Sequence, residues 1–223
     1  MITGNQHLTR QMDLIPLDVL DTPITLIGAG AIGSFTALSL VKMGYHNITA
    51  IDYDSIDIEN MNCQFFRHKD IGKRKVLALQ ELIEDFTGIT INAINDRWSG
   101  SQIDGIVICA VDSMEVRKQM FNTHARKAFK TSVIIDPRMG AEEAMMFTYS
   151  PVNPKEIDEY SRTLYSDSDA IQERCTAKST MYCALGLSAI ICSTIKEITV
   201  NNTRPKSVVY DLKSQDMMTF RNE

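Results

Sequence analysis

The sequence has little that would place the protein outside the cell or in a membrane. Its five cysteines are odd in number and irregularly spaced, unlike the paired cysteines of a secreted disulfide scaffold. No apolar leader segment follows Met1. The most apolar stretch, 181–195, is interrupted by two serines and is shorter than the roughly 20 residues that span a bilayer. We therefore expect a cytoplasmic protein, in a reducing compartment, with no membrane partner.

Positive charge is also scarce. Lys and Arg together number 23 against 28 Asp and Glu, which gives a net charge of −5. This overall field repels phosphate polymers, so no nucleic-acid partner is expected. The chain has no internal repeat or low-complexity tract, and its 44% hydrophobic and 23% charged residues are typical of globular proteins. A length of 223 residues predicts one folded domain over 1–223.

Segments of strand length and helix length alternate over the first two thirds of the chain. This alternation predicts an α/β fold with a Rossmann-like, doubly wound, mainly parallel sheet and helices on both faces. We expect Pro137 to stop the fifth strand. The predicted strands cover 24–27, 48–51, 90–93, 106–111 and 132–135, and the predicted helices cover 31–43, 76–86 and 113–130.

The pattern changes after Met139. A weakly alternating segment at 143–149 predicts one more strand, whereas 150–174 shows little apolar periodicity, with some helix near 157–164. A long apolar helix from about 177 to 198 follows. Two short strands, at 208–210 and 217–220, complete a C-terminal antiparallel extension of the sheet.

A glycine-rich turn follows the first predicted strand. Gly28, Gly30, Ala31 and Gly33 belong to the segment Gly-Ala-Gly-Ala-Ile-Gly, which lies between a strand and a helix. Glycines there let the backbone approach a phosphate, and the helix N-terminus supplies free N–H groups. Asp52 ends the second predicted strand, where an acid binds ribose hydroxyls in such folds. These features predict a nucleotide site without distinguishing ATP from NAD, and a tight turn with no ligand is the plainer alternative.

Polar residues beyond Asp52 favour ATP. Transfer of a nucleotidyl group builds charge on phosphate oxygens, which fixed cations, amide donors and Mg²⁺ stabilise. Lys75 suits the cation's role, and Asp112, after the fourth predicted strand, suits Mg²⁺. The plainer alternatives are a helix cap for Asp112 and an exposed surface position for Lys75. The cluster also contains Asp54, Asn60 and Gln64.

In this order, these residues resemble the ubiquitin-activating enzymes and their bacterial relatives of the ThiF, MoeB and HesA type. The resemblance covers about 10–196 and includes Thr9-Arg10-Gln11, Ile71-Gly72, Arg138-Met139-Gly140 and the helix around Gly186. It implies an adenylyltransferase that uses ATP and Mg²⁺ to activate the C-terminal glycine carboxylate of its acceptor, with release of pyrophosphate. The implied acceptor is a small ubiquitin-like or sulfur-carrier protein, or a peptide, and the implied assembly is a homodimer.

The resemblance also implies roles for individual residues. Asp52 would bind the ribose, Lys75 and Asn60 the phosphates, and Asp112 the Mg²⁺. Arg10 matches an arginine that reaches across family dimers to the ATP phosphates of the partner subunit. The chain would then divide into an arm (1–20), a nucleotide-binding half (21–140) and a carrier-binding or dimer half (141–223) with a mobile loop at 150–175.

Cysteines mark the places where the chain departs from the family pattern. Cys63 stands where the family usually has an arginine that contacts phosphate, and a thiol lacks that side chain's donors. Arg67 would restore the charge if the segment is helical, because residues i and i+4 share a helix face. No two cysteines are separated by two residues, so the zinc site common in bacterial relatives is not expected.

Cys175 matches a cysteine that, in ThiF-type enzymes, accepts the activated carrier or its sulfur. It precedes the long predicted helix, and a helix N-terminus with basic neighbours favours the reactive thiolate. Cys175 is therefore a candidate nucleophile. The remaining cysteines, Cys109, Cys183 and Cys192, lie in apolar segments and are expected in the core.

Three other functions remain open from the sequence. Cys63 and the small size are compatible with a catalytically reduced, nucleotide-binding partner subunit of such an enzyme. The glycine turn is compatible with an NAD-dependent Rossmann oxidoreductase, although the polar cluster between Asn60 and Lys75 would then have no explanation. Adenylation of an amide in a ribosomal peptide is a third alternative.

Overall fold

Short apolar segments form the centre of the sheet. A computed structural model describes residues 8–127, 130–165 and 179–221. Strand β1 (Ile24–Ile27) is buried along its whole length and pairs in parallel with β2 (Ile48–Ile51) on one side and β4 (Gly105–Cys109) on the other. Continuous apolar runs are typical of strands that are covered on both faces. The other strands are β3 (Asn92–Ile94), β5 (Thr131–Met139), β6 (Glu143–Tyr149), β7 (Ser207–Asp211) and β8 (Asp216–Phe220).

Helices cover both faces of this sheet, as the sequence predicted. One buried cluster joins the sheet to α1 (Ala31–Lys42), α2 (Lys75–Thr87) and α5 (Met181–Asn201). A second cluster on the opposite face joins it to α3 (Met114–His124) and α4 (Pro154–Ser161). The strand order is β3-β2-β1-β4-β5-β6-β7-β8, with β3 to β5 parallel and the last three strands antiparallel. The predicted fold class is confirmed.

The prediction that Pro137 ends the fifth strand is wrong. β5 continues to Met139, and Pro137 pairs with Met146 of β6. The parallel pairing of β5 with β4 ends at Ile135, so the segment around Pro137 has a neighbour on one side only. A residue without an N–H is tolerated in a strand at such an edge position.

The expectation of some helix within the weakly patterned segment 150–174 is confirmed, although the helix lies earlier than the expected 157–164. α4 begins at Pro154, and the Asn153 side chain accepts hydrogen bonds from the backbone N–H groups of Lys155 and Glu156. An Asn N-cap followed by Pro is a helix-start signal that the sequence contained. Residues 166–178 lie outside the described residues.

The helix bounds differ most from expectation at α3 and α5. α3 ends at His124 rather than near Lys130, because the next residues leave the helical conformation and Arg126 has φ +61°. α5 runs to Asn201 and, within the described part of the chain, is the one helix long and apolar enough by length and composition to cross a bilayer. It also packs against α1, and a core helix of a soluble protein meets the same criterion.

Candidate functional site

The glycine turn is held by close backbone contacts at the point where the strand order reverses. Gly28 has φ +95°, and a Cβ atom there would lie 2.3 Å from the Ala110 carbonyl oxygen. A Cβ on Gly33 would lie 2.0 Å from the Gly28 carbonyl oxygen. Only glycine fits these two positions, so the turn after β1 lies directly against the segment after β4.

The opposite side of the turn is open. A Cβ on Gly30 would meet only the Gln64 amide nitrogen, at 3.8 Å. Gly30 is the N-cap of α1 and has no side chain with which to bond the N–H groups of the first turn, which begins at Ala31. Free N–H groups at a helix N-terminus favour an anion, so this side of the turn suits a phosphate.

Asp52 ties the second strand to the glycine turn. Its Oδ2 accepts a hydrogen bond of 2.7 Å from the Ala29 N–H, and its Oδ1 accepts one of 2.8 Å from the Asp54 N–H. The side chain is nearly buried. An ionised carboxylate has about four lone-pair sites, so Asp52 keeps capacity to accept from ribose hydroxyls while it holds the turn.

Lys75 is largely buried and is held by Asp54. Its Nζ lies 3.0 Å from Asp54 Oδ2, and its backbone N–H donates to the Asp54 carbonyl oxygen at 2.9 Å. The plainer alternative of an exposed lysine does not hold, because its side chain is only 10% exposed. Asp52, Asp54 and Lys75 therefore form a continuous chain of contacts that starts at the turn.

Gln64 lies beside Gly30 with an unsatisfied acceptor. Its Oε1 is buried and has no hydrogen-bond partner among the described residues. The next residue, Phe65, donates its N–H to Ser34 Oγ in the first turn of α1, which holds this segment against the helix start. A buried acceptor without a donor is costly, and a ligand donor would satisfy it. Asn60 Oδ1 accepts the Asp57 N–H at 3.0 Å, which holds the side chain without using the Nδ2 donors that a phosphate needs.

Asp112 follows β4 and is exposed. The cap of α3 is its neighbour Ser113, whose Oγ accepts the Val116 N–H at 3.4 Å, so the helix-cap explanation of Asp112 does not hold. The contact between Gly28 and Ala110 places this carboxylate two residues beyond the segment that touches the turn. Its position allows it to meet a ligand bound there.

Arg67 does not take the place expected of it. The 3-10 helix over Ile58–Asn62 ends before Cys63, so Arg67 is not one helical turn beyond it. Its guanidinium instead binds Asp70 at 2.7 Å and also contacts Glu81 and Asp85 of α2. Burial would raise the pKa of Asp70, but the hydrogen bonds from the Arg67 side chain and backbone N–H outweigh it and lower that pKa below its usual value. The Arg67 guanidinium, which was expected to replace the family arginine, is thus already paired with three carboxylates.

The cysteines fall into two groups. Cys63, Cys109, Cys183 and Cys192 are all buried, and Cys63 Sγ lies 3.8 Å from the Asn60 carbonyl oxygen. Burial raises the pKa of Cys109 and Cys192 to about 12 and that of Cys183 to about 11. The expectation of core positions for these three is confirmed. Cys175 lies outside the described residues.

Sequence reasoning missed a buried ion pair behind Asp112. Arg117 of α3 donates from Nε to Asp136 of β5 at 2.7 Å, and both side chains are buried. A signal was present: Met114, Arg117 and Met120 recur every three residues on the inner face of a predicted helix. An arginine at such a position indicates a buried acidic partner.

Comparison with known proteins places this chain in a family. The family model described as ThiF family matches residues 16–223. The chain belongs to the ThiF family. Over 105 residues it is 37% identical to the NEDD8-activating enzyme E1 catalytic subunit of Dictyostelium discoideum, in a match that covers 44% of this chain and 24% of that protein. A match to ubiquitin-like modifier-activating enzyme 5 of the same organism is 36% identical over 66 residues, 30% of this chain and 17% of that one.

Solved structures share the fold of this ThiF-family chain over nearly its whole length. A crystal structure of Escherichia coli MccB with ATP has a TM-score of 0.76 at 16% identity and covers 98% of this chain and 72% of MccB. The structure of PaaA also has a TM-score of 0.76, at 17% identity, and covers 99% of this chain and 84% of PaaA. At these identities the likeness establishes the fold. The chain spans a quarter or less of the curated relatives named above.

The two sides of the glycine turn give opposite predictions. Gly33→Ala places Cβ against backbone and should destabilise the protein by about 3 kcal/mol in urea unfolding.

Gly30→Ala places Cβ near no backbone atom, so this variant should unfold like the wild type. It should nevertheless bind ATP at least about 10-fold more weakly by calorimetry, because its methyl group occupies the open side of the turn. Unchanged ATP affinity in folded Gly30→Ala would mean that no phosphate binds at this turn.

Proposed function

We propose that the protein is an adenylyltransferase that uses ATP to activate the C-terminal carboxylate of a small ubiquitin-like protein, sulfur-carrier protein or peptide. The observation that carries this proposal is the arrangement of the open glycine turn, the Asp52–Asp54–Lys75 chain and Asp112 around the ends of β1, β2 and β4. Ligands of open α/β sheets bind outside the carboxyl ends of the strands where the order reverses. The names of the relatives, enzymes that activate NEDD8 and ubiquitin-like modifiers, support this chemistry over hydride transfer.

In the proposed reaction, an acceptor carboxylate oxygen attacks the α-phosphorus of ATP. The bond from that phosphorus to the bridging oxygen breaks, and pyrophosphate leaves with the electron pair. Negative charge builds on the phosphate oxygens, and preorganised donors stabilise it. Lys75, fixed by Asp54, supplies a cation, the turn supplies N–H groups, and Asp52 orients the ribose. The Gln64 amide nitrogen, which faces the open side of Gly30, donates to a phosphate oxygen.

Mg²⁺ fits this site as a metal that arrives with the nucleotide. It usually takes one or two protein carboxylates together with water and substrate phosphates, and Asp112 is an exposed carboxylate of that kind. Within the described ranges, no group of three or more His, Cys, Asp or Glu side chains could hold a metal alone. When bound, Mg²⁺ neutralises phosphate charge.

One observation favours a second candidate, a nucleotide-binding partner subunit with reduced activity. The buried Cys63 thiol brings no positive charge to the usual arginine position, and Arg67 is bound to acidic residues. Such a protein would bind ATP without exchanging pyrophosphate by itself.

The position of Arg10 supports a homodimer. The neighbouring Gln11 donates from Nε2 to the Met43 carbonyl oxygen, at the C-terminal end of α1, whereas the glycine turn lies at the N-terminal end. The 12 residues of α1 separate these ends by about 18 Å. Arg10, which is exposed, would therefore serve the ATP site of a second copy rather than its own.

Cys175 is proposed as the thiol that receives the acyl group from the adenylate. The four described cysteines are buried, and raised pKa values keep three of them protonated near neutral pH. A thioester requires an accessible thiolate, which these thiols do not offer.

The adenylation proposal is tested by exchange of labelled pyrophosphate into ATP, using a panel of small proteins and peptides with free C-terminal glycine. Asp112→Ala should lower the exchange rate by about 100-fold or more, because phosphate charge loses its metal-binding carboxylate. Glu84→Ala removes an exposed acid from α2 and should exchange like the wild type. ATP binding by calorimetry without exchange for any acceptor would instead support the partner-subunit candidate.

The homodimer is tested by mixing two inactive variants. Arg10→Ala and Asp112→Ala should each lose exchange activity alone, and their mixture should regain up to about a quarter of wild-type activity. This follows because half of the dimers formed at random combine both chains, and each has one intact site. A monomer by light scattering at assay concentration, or no recovery after subunit exchange, would contradict it.

Acyl transfer is tested by mass spectrometry of the protein after incubation with ATP and an exchanging acceptor. Cys175→Ala should abolish a thiol-sensitive adduct while pyrophosphate exchange continues, since adenylation precedes transfer. Cys183→Ala, at a buried thiol, is the matched control and should keep the adduct. An adduct that survives in Cys175→Ala would assign the thiol elsewhere.

A further inference from the structure

A fully buried carboxylate organises the region behind Asp112. Asp136 has no exposed surface, and its Oδ1 accepts from Arg117 Nε at 2.7 Å. Its Oδ2 accepts from Arg138 Nε at 2.8 Å and from the Tyr160 hydroxyl at 2.9 Å. Burial alone would lower the pKa of Arg117, but the Asp136 charge raises it above its usual value. Three donors from three elements therefore fix the orientation of this carboxylate.

Arg117 also uses one terminal nitrogen on backbone carbonyls, one of them next to Asp112. One terminal nitrogen donates to the Val111 carbonyl oxygen at 2.6 Å and to the Pro137 carbonyl oxygen at 3.1 Å. The Val111 carbonyl and the Asp112 N–H belong to one planar peptide unit. A guanidinium that fixes this carbonyl therefore fixes the plane from which the Asp112 side chain departs.

We propose that Arg117, held by Asp136, is a positioning residue that aims the Asp112 carboxylate at a divalent cation bound to a nucleoside triphosphate. This inference rests on the proposed function, since it requires the nucleotide at the glycine turn. The planar fork of arginine matches the geometry, because it bonds a carboxylate through Nε and two carbonyls through a terminal nitrogen. A lysine ammonium at this position could pair with Asp136, but it could not also reach the two backbone carbonyls.

The experiment measures ATP affinity by calorimetry with and without Mg²⁺, in the absence of any acceptor. Arg117→Lys keeps the buried charge but frees the Val111 carbonyl. It should reduce the Mg²⁺-dependent gain in affinity by about 10-fold, which is typical when a supporting contact of a metal ligand is removed. ATP affinity without Mg²⁺ should stay at the wild-type value.

Arg204→Lys is the matched control for lost stability. Arg204 is also a largely enclosed guanidinium, with 13% of its side chain exposed, and its partners Glu156 and Thr148 lie on α4 and β6 rather than beside Asp112. Arg204→Lys should lower the unfolding temperature about as much as Arg117→Lys does, but it should keep the full Mg²⁺-dependent gain in ATP affinity. Asp136→Asn, which retains an acceptor for Arg117, is a second variant and should reduce the gain less than Arg117→Lys does.

The outcomes separate this inference from the adenylation proposal. The positioning role would be overturned if Arg117→Lys kept the wild-type Mg²⁺-dependent gain in ATP affinity, or if Arg204→Lys lost as much of that gain. Neither result depends on the acceptor. Absence of any Mg²⁺-dependent gain in the wild type would overturn it as well. Absence of pyrophosphate exchange with every acceptor, alongside the expected calorimetric pattern, would reject adenylation and leave the positioning of Asp112 in place.

Discussion

The contact between the Gly28 turn and the Ala110 carbonyl is the constraint on which the site depends. With only 2.3 Å between that oxygen and a hypothetical Cβ, the two chain segments can meet only where one of them has no side chain. The parallel pairing of β1 with β4 brings them to this distance, because both strands end at the same edge of the sheet. The same pairing determines where Asp112 lies relative to the turn, because Asp112 follows β4 by three residues. A change in strand register would therefore also move this charged residue.

The number of cations near the site does not decide which of them can bind a phosphate; their burial and their partners do. The sequence between 67 and 75 is rich in cations, but Arg67 and Lys73 are bound by acids of the same region, and Arg74 donates to the Tyr53 carbonyl oxygen. Lys75 also has an acidic partner, yet its contact with Asp54 connects it to Asp52 and the turn. Proximity in sequence therefore overstates the positive potential, and the connections of each cation decide which one can serve a phosphate.

Local patterns predicted β1, β2, β6 and the order of elements because each depends on apolar runs and turn residues. The glycine turn and Asp52 were predictable for the same reason, since both lie at fixed offsets from a strand end. The course of β5 through Pro137 was not, because it depends on where β4 stops pairing. The full set of Arg67 contacts was not predictable either, since two of its three acidic partners, Glu81 and Asp85, lie on α2 and come within reach only through the fold.

The spacing of α3 signals a buried Arg117, but only the fold shows that Asp136 is its partner and which backbone groups the pair holds. Two charges in the interior cost free energy unless each finds partners, and here the partners come from α3, α4, β5 and the end of β4. Apolar residues of equal volume could fill the same space, but they could not bond the Val111 carbonyl. Retaining a charged pair here therefore gives a defined backbone geometry next to Asp112, which packing alone would not supply.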